Sequence, residues 1–190
     1  MNKICIVGKG SSLLFKRLGT LIDSYDKVIR INHLPGEKDF DIIGKKTNIL
    51  STRSKFKLDA NIEEAKAKNL DIWVCSSFNE DYHQQIKAKF IDSSEWSEFR
   101  RYFNNFLNLR LNEDDSKVNM VIPDTGITTI LLALLRFPNH TIDVCGFDLY
   151  KNGNHQIYES KKSSSIFLTP VLQQMIYYKM LIRNKYIHEL

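Results

Sequence analysis

The chain has 190 residues, 43% of them hydrophobic and 26% charged, which suits one globular domain with a sizeable core. Its net charge of +5, from 27 basic against 22 acidic residues, suits an anionic substrate or an acidic membrane surface and is too small and dispersed for a nucleic-acid binder. No apolar run is long enough to span a bilayer, and the first residues run straight into a strand with no signal-peptide pattern, so the chain reads as cytoplasmic.

The first stretch, Ile4-Cys5-Ile6-Val7-Gly8-Lys9-Gly10-Ser11-Ser12, is a run of apolar, largely β-branched residues entering a Gly-x-Gly-Ser-Ser turn. Leu13, Leu14 and Leu18 follow at helical spacing, so the pattern predicts strand, tight loop and helix start. The glycines let the backbone approach a ligand, N–H groups at a helix start attract phosphate or carboxylate, and Ser11 or Ser12 is placed to cap. A plain strand-to-helix turn has the same pattern. The dinucleotide fingerprint is incomplete, because Leu13 stands where its third glycine would be, and the P-loop pattern is absent. The loop predicts an anion site without naming the anion.

Further along, Asp26 to Asn32 reads as a second strand, Thr47 to Ser51 as a third and Asp71 to Ser76 as a fourth. Asp59 is placed to cap a helix through Lys68, with Ile62, Ala65 and Ala67 facing inward. Helices are predicted near Asp81 to Phe90 and Ser93 to Leu109, the second opened by a capping box of Asp92 and Glu95. Its stripe of Trp96, Phe99, Phe103, Phe106 and Leu107 is a core face in pattern. Val118 to Ile122 reads as a fifth strand. Asp124-Thr125-Gly126 opens an apolar helix from Ile127 to Phe137, and Thr141 to Phe147 is a sixth strand. A polar tract from Lys151 to Ser165 precedes a last helix with Thr169 as N-cap, Pro170 at its first position, and an apolar face of Leu172, Met175, Ile176 and Met180. Cys5, Cys75 and Cys145 all fall in predicted buried strands, which favours reduced core cysteines over zinc ligands or disulfides.

Strands alternating with helices imply an α/β fold, Rossmann-like, with a mostly parallel sheet covered on both faces. In such sheets ligands bind beyond the carboxyl ends of the strands. Gly8 to Ser12, Asn32 to Pro35, Pro123 to Gly126 and Asp148 to Glu159 all leave that edge. No internal repeat or linker divides the chain, so residues 1–190 read as a single domain.

Ile22-Asp23-Ser24-Tyr25-Asp26-Lys27-Val28-Ile29-Arg30-Ile31-Asn32, followed by Gly44-Lys45-Lys46-Thr47, resembles the large sialylmotif of sialyltransferases. Pro123-Asp124-Thr125-Gly126 with Asp143-Val144-Cys145-Gly146-Phe147 resembles the small sialylmotif. The run Gly146-Phe147-Asp148-Leu149-Tyr150-Lys151-Asn152-Gly153 is similar to a segment of bacterial lipooligosaccharide sialyltransferases. The resemblance covers about the first fifty residues and Val118 to Glu159.

It implies a single sialyltransferase-like, nucleotide-sugar-binding domain of GT-A-like fold, and inverting, metal-independent transfer of a sugar, sialic acid in the first place, from a CMP-activated donor to a glycan or lipooligosaccharide-type acceptor. No cofactor or metal is implied beyond the CMP-sugar substrate, and a peripheral membrane contact fits such an acceptor. Gly8, Lys9, Gly10, Ser11, Ser12 and Asn32 would contact the donor's CMP, and Thr125 and Gly126 its phosphate or carboxylate. Tyr150 matches a tyrosine that assists the departing phosphate, with Tyr158 in a neighbouring motif-like run, His155 to Glu159.

Two departures stand out. Lys9 occupies a position where the family loop usually has Asn. In the last family motif a His separated from a Glu by four intervening residues supplies the base, but here Thr169 and Gln174 take those positions, and a hydroxyl beside an amide cannot act as a base at neutral pH. His155 is the expected replacement, on its near-neutral intrinsic pKa and its motif-like loop, with His33 and Asp148 as lesser candidates. His83, His140 and His188 read as surface positions, and Arg30 as a structural partner of Asp26 or Asp41. A catalytically degenerate nucleotide binder of the same fold, and a transferase using another CMP-sugar such as CMP-Kdo, are the alternative readings.

Overall fold

The structure is a computed structural model that describes residues 2–53, 61–75, 88–91, 94, 95, 97, 98, 124–148 and 168–190. In chain order its elements are β1 (Lys3–Val7), α1 (Leu13–Lys16), α2 (Gly19–Asp23), β2 (Lys27–Ile31), a 3-10 turn (Glu37–Asp39), α3 (Phe40–Ile43), β3 (Ile49–Thr52) and α4 (Ile62–Ala67). Then come β4 (Asp71–Val74), β5 (Ala88–Phe90), α5 (Thr125–Arg136), β6 (Thr141–Cys145), α6 (Leu168–Arg183) and β7 (His188–Glu189).

The described strands form one seven-stranded sheet in the order β5-β4-β3-β2-β1-β6-β7, with every pair parallel. Alternation along the strands explains why both faces are covered. Ile4 and Ile6 of β1 face one side, with Ile29 and Ile31 of β2 and Ile142 and Val144 of β6, under α5 and α6. Cys5 and Val7 face the other, with Val28 and Cys145, against Leu13, Ile22 and Ile43 from α1 to α3. Leu50, Ile72 and Val74 extend that second face under Ala65 of α4. Each Ile or Leu fully removed from water contributes about 1.5–3 kcal/mol, so this two-sided burial is what holds the sheet. Residues Ile127 to Ala133 of α5 are all buried, which its apolar sequence requires. Among the described residues no helix is long and apolar enough to cross a membrane.

Several expectations change. The tail of the helix expected over Asp81 to Phe90 is an edge strand, with Ala88 opposite Ile72 and Trp73 opposite Lys89. An Ala-Lys-rich run favours helix by itself, and pairing with a neighbouring strand overrides so weak a preference. β7 was not expected; His188 on it is exposed, as expected, and its ring lies beside Asp143 at 3.2 Å. The first helix is broken at Arg17, which adopts a left-handed φ of 45°. Near residue 61, Asn61 precedes α4, Ala65 is buried, Ile62 is half-buried and Ala67 is exposed.

α6 begins at Leu168, so Thr169 lies inside its first turn and is not the cap. Pro170 stays in that turn, where a missing N–H has no helical acceptor to lose. Among the described side chains of α6, Gln174, Tyr177, Tyr178 and Leu181 are buried, while Met175, Ile176 and Met180 are only half-buried; the expected Leu172 lies outside them. The tyrosines set the face because their rings bury more area, and Tyr178 stacks on Phe147 at 5.6 Å. The expected strand Val118 to Ile122, the Asp59 and Asp92 caps and the whole aromatic stripe lie outside the described residues.

Candidate active site

Strand order reverses direction at β1, whose neighbours are β2 on one side and β6 on the other. A crevice opens beyond the carboxyl ends of two such strands. Here the loops leaving β1 and β6 are joined closely. The Gly8 N–H donates to the Cys145 carbonyl at 2.8 Å and the Gly10 N–H to the Gly146 carbonyl at 2.8 Å. A Cβ on Gly8 would sit 2.3 Å from the Gly146 oxygen, and one on Gly10 2.4 Å from the Asp148 carboxyl. The two glycines therefore serve loop-to-loop contact, a reason the sequence pattern did not distinguish from close approach to a ligand.

Asp148 completes this joint. Its Oδ2 accepts from the Ser12 N–H at 2.9 Å and from the Ser11 hydroxyl at 3.1 Å. Neither serine caps α1, which has only four residues, because the acceptor their helix start needs is this carboxylate and not a hydroxyl. Lys9 is buried at 9% exposure between the two glycines.

Asn32 follows β2 with φ +62°, a left-handed conformation that asparagine tolerates better than most residues. Its N–H donates to the Ser51 carbonyl at 2.8 Å and its carbonyl accepts from Asn61 at 3.3 Å. The side-chain Oδ1 is shielded from water and meets no hydrogen-bond donor among the described residues. A buried acceptor left so costs about 1–3 kcal/mol, which a bound ligand's N–H or hydroxyl would recover.

Behind Asn32 the motif residues form a brace. Arg30, 2% exposed, donates through Nη2 to the Ile43 and Gly44 carbonyls at 2.8 and 2.9 Å. Its Nε reaches the Lys46 carbonyl at 3.1 Å and the Thr47 hydroxyl at 3.0 Å. Asp23 accepts from the Lys45 and Lys46 N–H groups at 3.1 and 2.8 Å. The structural role expected of Arg30 holds, but these partners are carbonyls and a hydroxyl, not Asp26 or Asp41. The planar guanidinium suits several fixed carbonyls better than one carboxylate would.

On the same edge, Asp124 caps α5 by accepting from the Ile127 N–H at 2.8 Å. Burial pushes its carboxyl up, against the lowering effects of that N–H and of the Arg53 charge. Thr125 and Gly126 open the helix half-buried. Arg53 lies just past β3, with Nε donating to the Cys75 carbonyl at 3.1 Å and Nη2 to the Thr128 hydroxyl at 3.2 Å. Sequence reading missed it; an arginine one residue beyond the carboxyl end of a buried strand was the available signal. Gln174, at the last motif's Glu position, accepts from the Asp124 N–H at 2.8 Å.

The sheet thus gathers Gly8 to Ser12, Asn32, Thr125 and Gly126 at one edge, and adds Arg53 and Asp148. Tyr150, His155 and Tyr158 lie outside the described residues. A cavity of about 570 Å³ opens at the opposite edge, among Lys27, Asp71, Trp73, Lys89, Arg136 and Phe137. The Arg136 guanidinium there lies over Trp73 and holds Glu95 by two hydrogen bonds, an arrangement that closes the end of α5.

A parallel sheet with this loop pair at its switch point has a ligand crevice at its carboxyl edge, and comparison with known proteins names the class. Residues 1–104 match the model of glycosyltransferase family 29 (sialyltransferase). The chain belongs to that family, and is a sialyltransferase-like glycosyltransferase by descent. A crystal structure of a mammalian sialyltransferase superposes with a TM-score of 0.62 at 15% identity, covering 100% of this chain and 68% of that one. A mammalian sialyltransferase in complex with Gal-β-1-3GalNAc-ortho-nitrophenol gives a TM-score of 0.60 at 17% identity, covering 100% and 69%. At such identities the likeness is one of fold. None of the curated proteins matches the chain.

Proposed function

We propose that this family member transfers sialic acid from a CMP-activated donor to a glycan acceptor, with inversion and without a metal ion. The observation that carries the reading is the buried, unsatisfied Oδ1 of Asn32 at the carboxyl edge. A cytidine monophosphate offers amino and hydroxyl donors to such an acceptor. The half-buried start of α5 at Thr125 and Gly126, with Arg53 beside it, suits the donor's phosphate or carboxylate. Lys9 supplies a further positive charge near the same loop. The galactoside bound by the mammalian neighbour makes a galactose-terminated glycan the first acceptor to try.

Titration calorimetry with CMP, CDP, UDP, GDP and NAD, followed by CMP release from CMP-sialic acid with and without a galactoside, tests the reading. Cytidine nucleotides should bind best and the acceptor should accelerate CMP release. Tighter binding of UDP, GDP or NAD would overturn it. CMP binding without transfer from any CMP-sugar would leave a nucleotide-binding protein of the same fold, the alternative that Thr169 and Gln174 favour.

A further inference from the structure

Inversion by one displacement requires a group to take the proton of the attacking hydroxyl. Where the last motif has its His and Glu, this chain has Thr169 and Gln174, and the Gln174 carbonyl is already committed to the Asp124 N–H. Asp124 is committed as the cap of α5, with Oδ1 on the Ile127 N–H and the Gly126 N–H and the Arg53 charge acting on the same carboxyl. Lys9 and Arg53 carry positive charge and serve as donors.

We propose that Asp148 is the catalytic base, an inference that rests on the transferase reading above. Both hydrogen bonds that Asp148 receives, from the Ser12 N–H at 2.9 Å and the Ser11 hydroxyl at 3.1 Å, end on Oδ2. Oδ1 receives none among the described residues and keeps its lone pairs. The carboxylate is half-buried at the switch point, directly over Gly10, and the two donors fix its orientation without protonating it. A negative charge at this place repels the donor's phosphate and carboxylate, so the substrate group it suits is the acceptor's neutral hydroxyl. In the step, the hydroxyl oxygen bonds to the anomeric carbon and the bond from that carbon to the phosphate oxygen breaks. That bond's electron pair leaves with CMP, and the hydroxyl proton passes to Asp148 Oδ1.

The joint between the two loops gives Asp148 a structural task as well, so the test separates the two. Asp148→Asn keeps an acceptor for the Ser12 N–H and loses the basic oxygen. With CMP-sialic acid and a galactoside acceptor, its kcat should fall about 10²–10⁴-fold while CMP affinity is kept or improved and the thermal midpoint stays near wild type. Asp148→Ala opens a space for a small carboxylate, and added formate should restore part of its turnover. Wild-type kcat in Asp148→Asn overturns the proposal. So does a loss shared by kcat and CMP affinity with no formate rescue of Asp148→Ala, or a selective kcat loss in His155→Ala or His33→Ala with Asp148→Asn active. A wild-type protein that binds CMP but transfers no sugar overturns the transferase reading itself, a result distinct from any of these.

Discussion

The Gln174 side-chain carbonyl accepts a hydrogen bond from the Asp124 backbone N–H at 2.8 Å, across fifty residues of sequence. This contact docks α6 on the capped start of α5, next to the Thr125 and Gly126 positions. The glutamine is buried, so its side-chain oxygen has exchanged water for this N–H.

Gln174→Met keeps the volume and removes the acceptor. Leaving the Asp124 N–H unsatisfied should lower stability by about 1–3 kcal/mol, read as a reduced urea midpoint with an unchanged slope. An unchanged midpoint would show that the N–H finds another acceptor.

Asn32 calls for glycine as the test residue. Alanine would be forced into the left-handed region, at about 1–2 kcal/mol, and would confuse strain with lost recognition. Asn32→Gly should keep its fold and weaken CMP binding about 5–150-fold, the equivalent of one buried hydrogen bond. Calorimetry measures both; an unaltered dissociation constant would remove Asn32 from the site.

Arg30 should behave in the opposite way. Arg30→Met strands the Ile43, Gly44 and Lys46 carbonyls, each of which now receives a charged donor. Such bonds are worth about 1.5–3 kcal/mol apiece, so stability should drop by about 3 kcal/mol or more. Arg30→Lys should recover little, because an ammonium cannot span carbonyls on both sides of the turn. Thermal denaturation checks this, with CMP affinity per folded molecule changing far less than stability.

Tyr25 predicts alkaline behaviour. Burial first, and then its hydrogen bond to Asp143 at 2.5 Å, push its phenol well above the usual range. Burial pushes Tyr178 the same way. A raised folded value means that the unfolded chain loses the proton first. Their contribution is therefore intact below about pH 10 and declines as pH rises beyond it. Tyr25→Phe should lower stability at pH 8, where the bond to Asp143 is lost, yet show a shallower decline between pH 9 and 11 in urea titrations. An identical alkaline slope in both proteins would show that Tyr25 ionises without unfolding.

The parallel sheet was legible because β1, β2, β3, β4 and β6 are buried on both faces and read as nearly continuous apolar runs. β5 and β7 were not, since three-residue and two-residue edge strands have too little sequence to outweigh their neighbours and exist only by pairing. At the site, Asn32 and the Asp124 to Gly126 helix start could be located because strand ends and caps have local signatures. The brace of Arg30 around Gly44 to Thr47 was legible only as a motif, because its partners are main-chain carbonyls, which carry no mark in the side-chain sequence. Arg53 and the Asp148 joint depend on which loops meet, and that follows from strand order.

Ser11 and Asp148 are 137 residues apart in the chain and in hydrogen-bond contact in the fold. β1, β2 and β3 pair with near neighbours in sequence, whereas β1 meets β6 only across a long loop closure. Such closures are slow relative to local pairing. On the ribosome the first three strands and the Arg30 brace have everything they need long before residue 145 is made, while the crevice has only one wall. The crevice is therefore closed late, first by the β6 loop and then by the docking of Gln174 on Asp124, and a chain halted before residue 145 has a nascent sheet with one wall of the crevice missing.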